Sequence, residues 1–396
     1  MSETLKTILV VLSFITVTGC ASTALPPIGA GAPAFQREAD EERLWESSKR
    51  FEALLAENRL LSQDAQLDAY LGKVAASLLP PEVSATGVAV RVRVVRNLIP
   101  NAFVLPNGTV YLHSRMLALM ENEAQLSAII GHELVHFINR HLVKERRDAR
   151  NKAEIAKLVN TLLVEASYGL LAPLTGQLAE IWSLAAVRGY SRELETEADT
   201  LGFAFVVQAG YDPAEVPKIF EALKRDLPPG HDEGFFFATH PRLQERIDRT
   251  RALLKEHAAK SPASRRTGRD EFERVISALL LENAYMELRL NRFEEARRSI
   301  DRHLAGNPGS PRGHFMRGEW WRLKGGADEE ALQSYETAIR LDSRFPEPYR
   351  ETGLLLRKRQ ETEPARAALQ HYLGLVPNAP DAPIIRGYLN ALAPRP

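Results

Sequence analysis

Residues Ala128–Ile138 read AIIGHELVHFI, a nearly uninterrupted apolar run that nonetheless carries His132, Glu133 and His136. Apolar side chains all around a helical period mark a helix enclosed in a core. Two imidazoles and a carboxylate are costly in such a place unless a metal or hydrogen bonds satisfy them. His132 and His136 stand four residues apart, just over one turn, so both rings leave the same face and can share one ion. Glu133 sits beside them, where it can take a proton from a water activated by that ion. The pattern HExxH therefore predicts a hydrolytic site holding one Zn2+ per chain.

Such a site needs a third protein ligand and an open position. The chain has a single cysteine, Cys20, far upstream, which excludes a thiolate cage and an internal disulfide framework. The stretch Ser191–Gly202, SRELETEADTLG, offers carboxylates instead. Glu195 and Asp199 fall four apart on one helical face, so Glu195 is the expected ligand, with Glu197 as the alternative. Asp199 is placed to accept a hydrogen bond from the far nitrogen of a ligating imidazole. Glu193 and Glu197 otherwise read as a solvated acidic face, and His113 and His141 as structural or solvent-facing.

Around these motifs, apolar spacing predicts helices over Glu41–Leu61, Asp64–Leu79, Ala124–Arg146 and Glu193–Ala209, with Ala153–Val187 mostly helical as well. Val88–Val95 alternates as a strand, and Phe103–Leu105 and Thr109–Leu112 flank a Pro106-Asn107-Gly108 turn as a hairpin. The expected unit is a mostly helical α+β domain with a small sheet over residues 41–255. Glu256–Gly268, EHAAKSPASRRTG, reads as an exposed linker. Beyond it Ala296, Ala331 and Ala365 recur at steps of 35 and 34, as do Ala284, Gly318 and Gly353, and Pro308, Ser343 and Pro377. That is the period of a tetratricopeptide array, so residues 269–396 are expected to form an all-α solenoid of three repeats. Glu287 breaks the pattern of the first repeat, standing where a large apolar residue is usual.

With 51 basic side chains against 51 acidic ones, no whole-chain field favours nucleic acid. Ile8–Val17 has the length of a signal-peptide apolar region, and the Val17-Thr18-Gly19-Cys20 that closes it resembles a bacterial lipobox. Residues 1–19 are thus expected to be cleaved and Cys20 acylated, with Ser22 after it fitting the outer-membrane sorting pattern. Residues 20–40, rich in Ala, Pro and Gly, read as a flexible tether. The expected location is an outer-membrane lipoprotein facing the periplasm.

Taken together, AIIGHELVH, SRELETEAD, NAFVLPNGTVYLHSRML (Asn101–Leu117) and THPRLQERI (Thr239–Ile247) resemble the zinc metallopeptidases of the HtpX, CAAX-prenyl-protease and BepA group, over about Glu41–Leu254. The repeats narrow the resemblance to BepA-like periplasmic proteases. It implies a zincin-like fold, zinc on His132, His136 and Glu195, and Glu133 as general base. The resemblance alone gives meaning to three further features: His240 as a fourth zinc ligand that holds the enzyme latent, Arg246 as active-site support, and Asn101, Ala102 and Phe103 as an edge strand that pairs with an extended peptide. Its implied substrates are misfolded or stalled outer-membrane and periplasmic proteins, with the repeats docking to substrate or to the outer-membrane assembly machinery. A reading of another class is a chaperone or adaptor of that assembly with a latent zinc site. Two features depart from the group: membrane spans of the HtpX and prenyl-protease kind are missing, and the chain reads as lipidated. Ile155–Val187 reads as helices that cover the cleft or touch membrane, or as a buried core pair.

Overall fold

The computed structural model describes residues 25–31, 35–150, 190–226, 240, 242–258 and 265–393. The signal segment, Cys20 and the apolar stretch 155–187 lie outside the described residues. Among those described, no helix is long and apolar enough to cross a membrane.

Helices α1 (Ala39–Glu57) and α2 (Ala65–Leu78) come first, and Asp64 caps α2 by accepting from the amides of Gln66 and Leu67. After one turn of α3 (Pro81–Ser84) the chain enters a three-stranded sheet of β1 (Arg91–Val95), β2 (Ala102–Val104) and β3 (Thr109–His113). The predicted hairpin is β2–β3, turned at Gly108, whose φ of 78° and close approach to Ala89 O leave no room for a Cβ. β1 runs parallel to β3, so the order is β1-β3-β2 and β2 is one of the two edges.

Helix α4 (Ser114–Leu119) leads into α5 (Glu123–Ile138), which carries the HExxH motif and is buried along its whole length. The helix predicted to run to Arg146 ends eight residues earlier, at Ile138. Arg140 takes a left-handed φ of 57°, and its guanidinium pairs with the buried Glu41; the chain restarts as α6 (His141–Arg150). Apolar spacing runs on across this break, which is why periodicity overlooks it. Helix α7 (Arg192–Gln208) lies close against α5, with Gly131 facing Gly202. A Cβ on Gly202 would sit 3.0 Å from His132 N, so the two glycines let the α7 carboxylates reach the α5 imidazoles. Helices α8 (Glu215–Arg225) and α9 (Leu243–Ala258) complete this unit.

The repeats follow as helix pairs α10 (Arg269–Arg289) with α11 (Phe293–Gly306), α12 (Pro311–Lys324) with α13 (Asp328–Leu341), and α14 (Pro346–Lys358) with α15 (Thr362–Leu375), closed by α16 (Ala382–Ala391). Gly318 and Gly353 stand where the paired helix comes closest: a Cβ there would run into the Tyr335 ring and into Leu369.

Two expectations are corrected. The linker does not separate two bodies. Helix α9 continues to Ala258, and the segment before α10 is tied down by Asp212 N to Arg266 O, Arg266 N to Gly210 O and Ala124 N to Thr267 O. Phe272, Ile276, Leu279 and Leu280 of α10 belong to the same apolar core as Ile129 and Ile130 of α5, each worth about 1.5–3 kcal/mol of burial. Glu287 departs from the repeat pattern because it serves this contact: Arg115 of α4 donates to Glu287 Oε1 at 2.9 Å and also pairs with Asp226. Asn283 donates to Ser114 O, and Arg302 to the carbonyls of Ala118 and Met120. The second correction concerns the tether. Leu25 and Ile28 are buried, and Ile28 N donates to Ile138 O at 2.8 Å, so residues 25–31 are part of the fold.

Candidate metal centre

His132 and His136 project from one face of α5, as the spacing predicts, with their Nε2 atoms 3.0 Å apart. Glu195 on α7 brings Oε1 to 3.5 Å from His136 Nε2 and Oε2 to 3.6 Å from His132 Nε2. His240 enters from another part of the chain, with Nδ1 2.8 Å from Glu195 Oε1 and 3.2 Å from His132 Nε2. One donor atom from each of these four residues lies within 4.8 Å of the others, and all four residues are buried. Glu197, the alternative ligand, points elsewhere.

The surroundings orient these groups. Asp199, one turn beyond Glu195, places Oδ1 3.1 Å from His132 Nδ1, with Arg246 Nη2 2.9 Å from the same nitrogen; the carboxylate is placed to accept the Nδ1 proton in the tautomer that gives its Nε2 lone pair to an ion. Arg246 is 1% exposed; its Nε and Nη2 donate to Asp199, Nη1 lies 3.6 Å from Glu195 Oε2, and its guanidinium covers the Phe220 ring at 4.4 Å. Arg249 adds a second donor to Asp199 at 2.6 Å.

Two residues that the motifs left out complete the site. His141 is fully enclosed: its Nδ1 sits 2.9 Å from His136 Nδ1 and its Nε2 3.1 Å from Glu197 Oε2. With His136 Nε2 turned to the cluster, its Nδ1–H donates to His141, whose Nε2–H then donates to Glu197. A histidine five residues past the second motif histidine was the available signal, hidden by the helix break between them. Tyr190 stacks on the His136 ring at 3.8 Å between centroids and 15° between planes. His113 is also buried, but holds Ile99 O through Nδ1, away from the cluster. Asn101, Ala102 and Phe103 lie at the sheet edge as expected in position, yet all three are buried; Asn101 O accepts from His113 N, and the Phe103 ring stacks on Tyr111. The end of β2 borders the centre, since Val104 and Leu105 line one small cleft with His136 and Tyr190.

Electrostatics match a cation's place. Burial pushes the imidazoles of His132 and His136 down to about 4, so both rings are neutral at pH 7 with lone pairs to give. Burial alone would raise Glu195, but His240, Arg246 and His132 hold it well below the usual carboxylate range. Glu133 is raised, chiefly by burial. Among the described residues neither Glu133 oxygen nor Glu195 Oε2 has a hydrogen bond, although all three are buried; His240 Nε2 stands 3.3 Å from Glu133 Oε1 as a charge partner. Inward-facing imidazole nitrogens, a low-pKa carboxylate and a neighbouring buried carboxylate fit a divalent, nitrogen- and oxygen-ligated ion.

Residues 62–254 match peptidase family M48, and all the residues of this centre fall within that span. The span is an M48 peptidase domain. The chain is 30% identical over 172 residues to the mitochondrial metalloendopeptidase OMA1 of Schizosaccharomyces pombe, covering 43% of this chain and 48% of that protein. Similarity to the beta-barrel assembly-enhancing protease of Escherichia coli is 25% over 243 residues, 53% of this chain and 49% of that one. The corresponding protein of Yersinia pestis is 29% identical over 168 residues, 41% and 34% of the two chains. This chain therefore spans about half or less of these curated relatives.

Proposed function

We propose that this chain is a zinc endopeptidase of the bacterial envelope that cleaves misfolded or stalled outer-membrane and periplasmic proteins, with the repeats docking substrate or the outer-membrane assembly machinery and a lipid on Cys20 holding it to the outer membrane. The observation that carries this reading is Glu133 beside the His132, His136 and Glu195 cluster: a buried carboxylate that accepts no hydrogen bond from the described residues and faces His240 Nε2 at 3.3 Å. His132, His136 and Glu195 would hold the zinc. When bound, zinc polarises a peptide carbonyl and makes water a stronger acid. Glu133, its pKa raised by burial, takes the proton of the attacking water and delivers it to the leaving amine. Asp199 and Arg246 fix the His132 ring, and His141 with Glu197 fixes that of His136. An extended substrate would lie along β2, whose end borders the site.

His240 supports a latent state. A fourth protein donor in the cluster leaves no open position for water. This favours a second reading, an adaptor or chaperone of outer-membrane assembly whose site stays shut. Cleavage of an unfolded porin by the purified protein, with metal content measured beside it, separates the two. Expected outcomes are chelator-sensitive cleavage, raised in His240→Ala, lost by a factor on the order of 100–10,000 in Glu133→Gln with metal retained, and lost together with the metal in His136→Ala. Equal metal content in wild type and His136→Ala would refute the ligand assignment. Full rescue of a deletion strain by Glu133→Gln would move the function to the adaptor.

A further inference from the structure

We propose that the metal centre is held on a short leash at the membrane surface, so that the polypeptides within its reach are those lying close to the bilayer. The inference rests on the reading of Cys20 as the lipid-bearing residue, and adds to it the length and the landing point of the chain that follows. Leu25 is 5% exposed and packs with Leu44 of α1 and Val143 of α6. Pro26 O accepts from Arg140 Nη1 at 3.4 Å, and Ile28, 3% exposed, donates its amide to Ile138 O at 2.8 Å. Gly29 makes the turn that seats this segment: its φ is 89°, and a Cβ there would meet Glu82 O at 2.9 Å.

Ile138 is the last residue of α5, two residues and about 3 Å of helix rise beyond His136. The landing point is thus the end of the very helix that presents the imidazoles. From Cys20 to Leu25 the chain makes five residue steps, which span at most about 18 Å however they fold. A tether free as far as residue 40 would span up to about 70 Å. Burial of Leu25 and Ile28 removes most of that freedom and confines the enzyme to the interfacial layer. The fitting substrate is accordingly an unfolded segment at the membrane face, such as a polypeptide stalled while inserting, in preference to one free in solution.

The test measures height and needs no cleavage. Cys20 is the only cysteine of the chain and is blocked when acylated, so Arg43→Cys, exposed on α1 next to Leu44, accepts a single fluorophore. The full lipidated chain is placed in phosphatidylethanolamine/phosphatidylglycerol vesicles bearing a headgroup acceptor dye. Energy transfer is expected to be strong, and to fall at least about twofold when about twenty Gly/Ser residues, adding roughly 25 Å of mean reach, are inserted between Thr23 and Ala24. Leu25→Ser/Ile28→Ser, which frees the chain up to α1, is expected to lower it as well, with metal content reporting that the centre persists. Equal transfer before and after insertion, with Cys20 shown acylated by palmitate labelling, overturns the leash and leaves the lipid reading standing. An unlabelled Cys20 overturns both, while the porin cleavage above stands or falls apart from either.

Discussion

At the seam with the repeats, Arg115 is enclosed by Asp226 and Glu287, and Ser299 donates to the remaining Glu287 oxygen. At the metal centre, a comparable group of buried charges is less complete: Arg246 and Arg249 satisfy Asp199, yet among the described residues Glu133 accepts no hydrogen bond and has only His240 Nε2 beside it, at 3.3 Å. Both clusters lie in one continuous unit, and both pay for burial with pairing. The difference is completeness. A cluster whose oxygens all have donors holds two parts of a fold together, whereas one whose donors face a common space keeps its capacity for a ligand.

The contrast breaks most readily at Arg115. Arg115→Ala leaves the buried Glu287 and the half-buried Asp226 without their cation and is expected to destabilise the protein by about 3 kcal/mol, seen as a lowered denaturant midpoint of the M48 unit and the first repeat together. A midpoint unchanged in the M48 unit would mean that the repeats are a separate body. A smaller effect sharpens the same point through pH. Burial raises the Glu287 carboxyl from 4.5 to about 7, so the folded protein holds this proton more tightly than the unfolded chain does. Its contribution to stability is complete below pH 4.5 and is lost as pH rises towards 7, by up to about 3 kcal/mol. Glu287→Gln is expected to flatten that part of the stability profile relative to wild type; parallel profiles would show that Glu287 does not titrate there. At the metal centre, His141→Ala is expected to weaken metal binding about 10–100-fold while the unfolding midpoint without metal shifts less than in Arg115→Ala. Unchanged affinity would mean that His141 fills space and does not orient His136.

Much of the centre is legible in the chain itself. His132, Glu133 and His136 follow from a polar triplet inside an apolar helix, and Glu195 and Asp199 from a four-residue step on a second one. His141 is not, because Arg140 turns left-handed to meet Glu41, a residue about a hundred positions away, and that turn brings a histidine past the helix end back against His136. Glu287 was visible as a misfit in the repeat, but its reason, Arg115, lies in another part of the sequence. Composition misleads at segments 25–31 and 265–268 for a common cause: small, polar and Pro- or Gly-rich sequence reports a lack of regular structure, and backbone hydrogen bonds to Ile138, Gly210 and Ala124 fix irregular chain just as firmly.

By itself, then, the sequence determined the helical repeats, the presence of a small sheet, and the two helical faces that carry imidazoles and carboxylates. Each of these is set by local periodicity, which places residues four apart on one face wherever the helix goes. Only the tertiary structure decided that Gly131 and Gly202 let those faces touch, that Glu195 and not Glu197 joins the cluster, that His240 closes it, and that α10 shares the peptidase core. Those outcomes depend on contacts between residues distant in the chain, where packing and charge pairing select among arrangements that local pattern leaves equal.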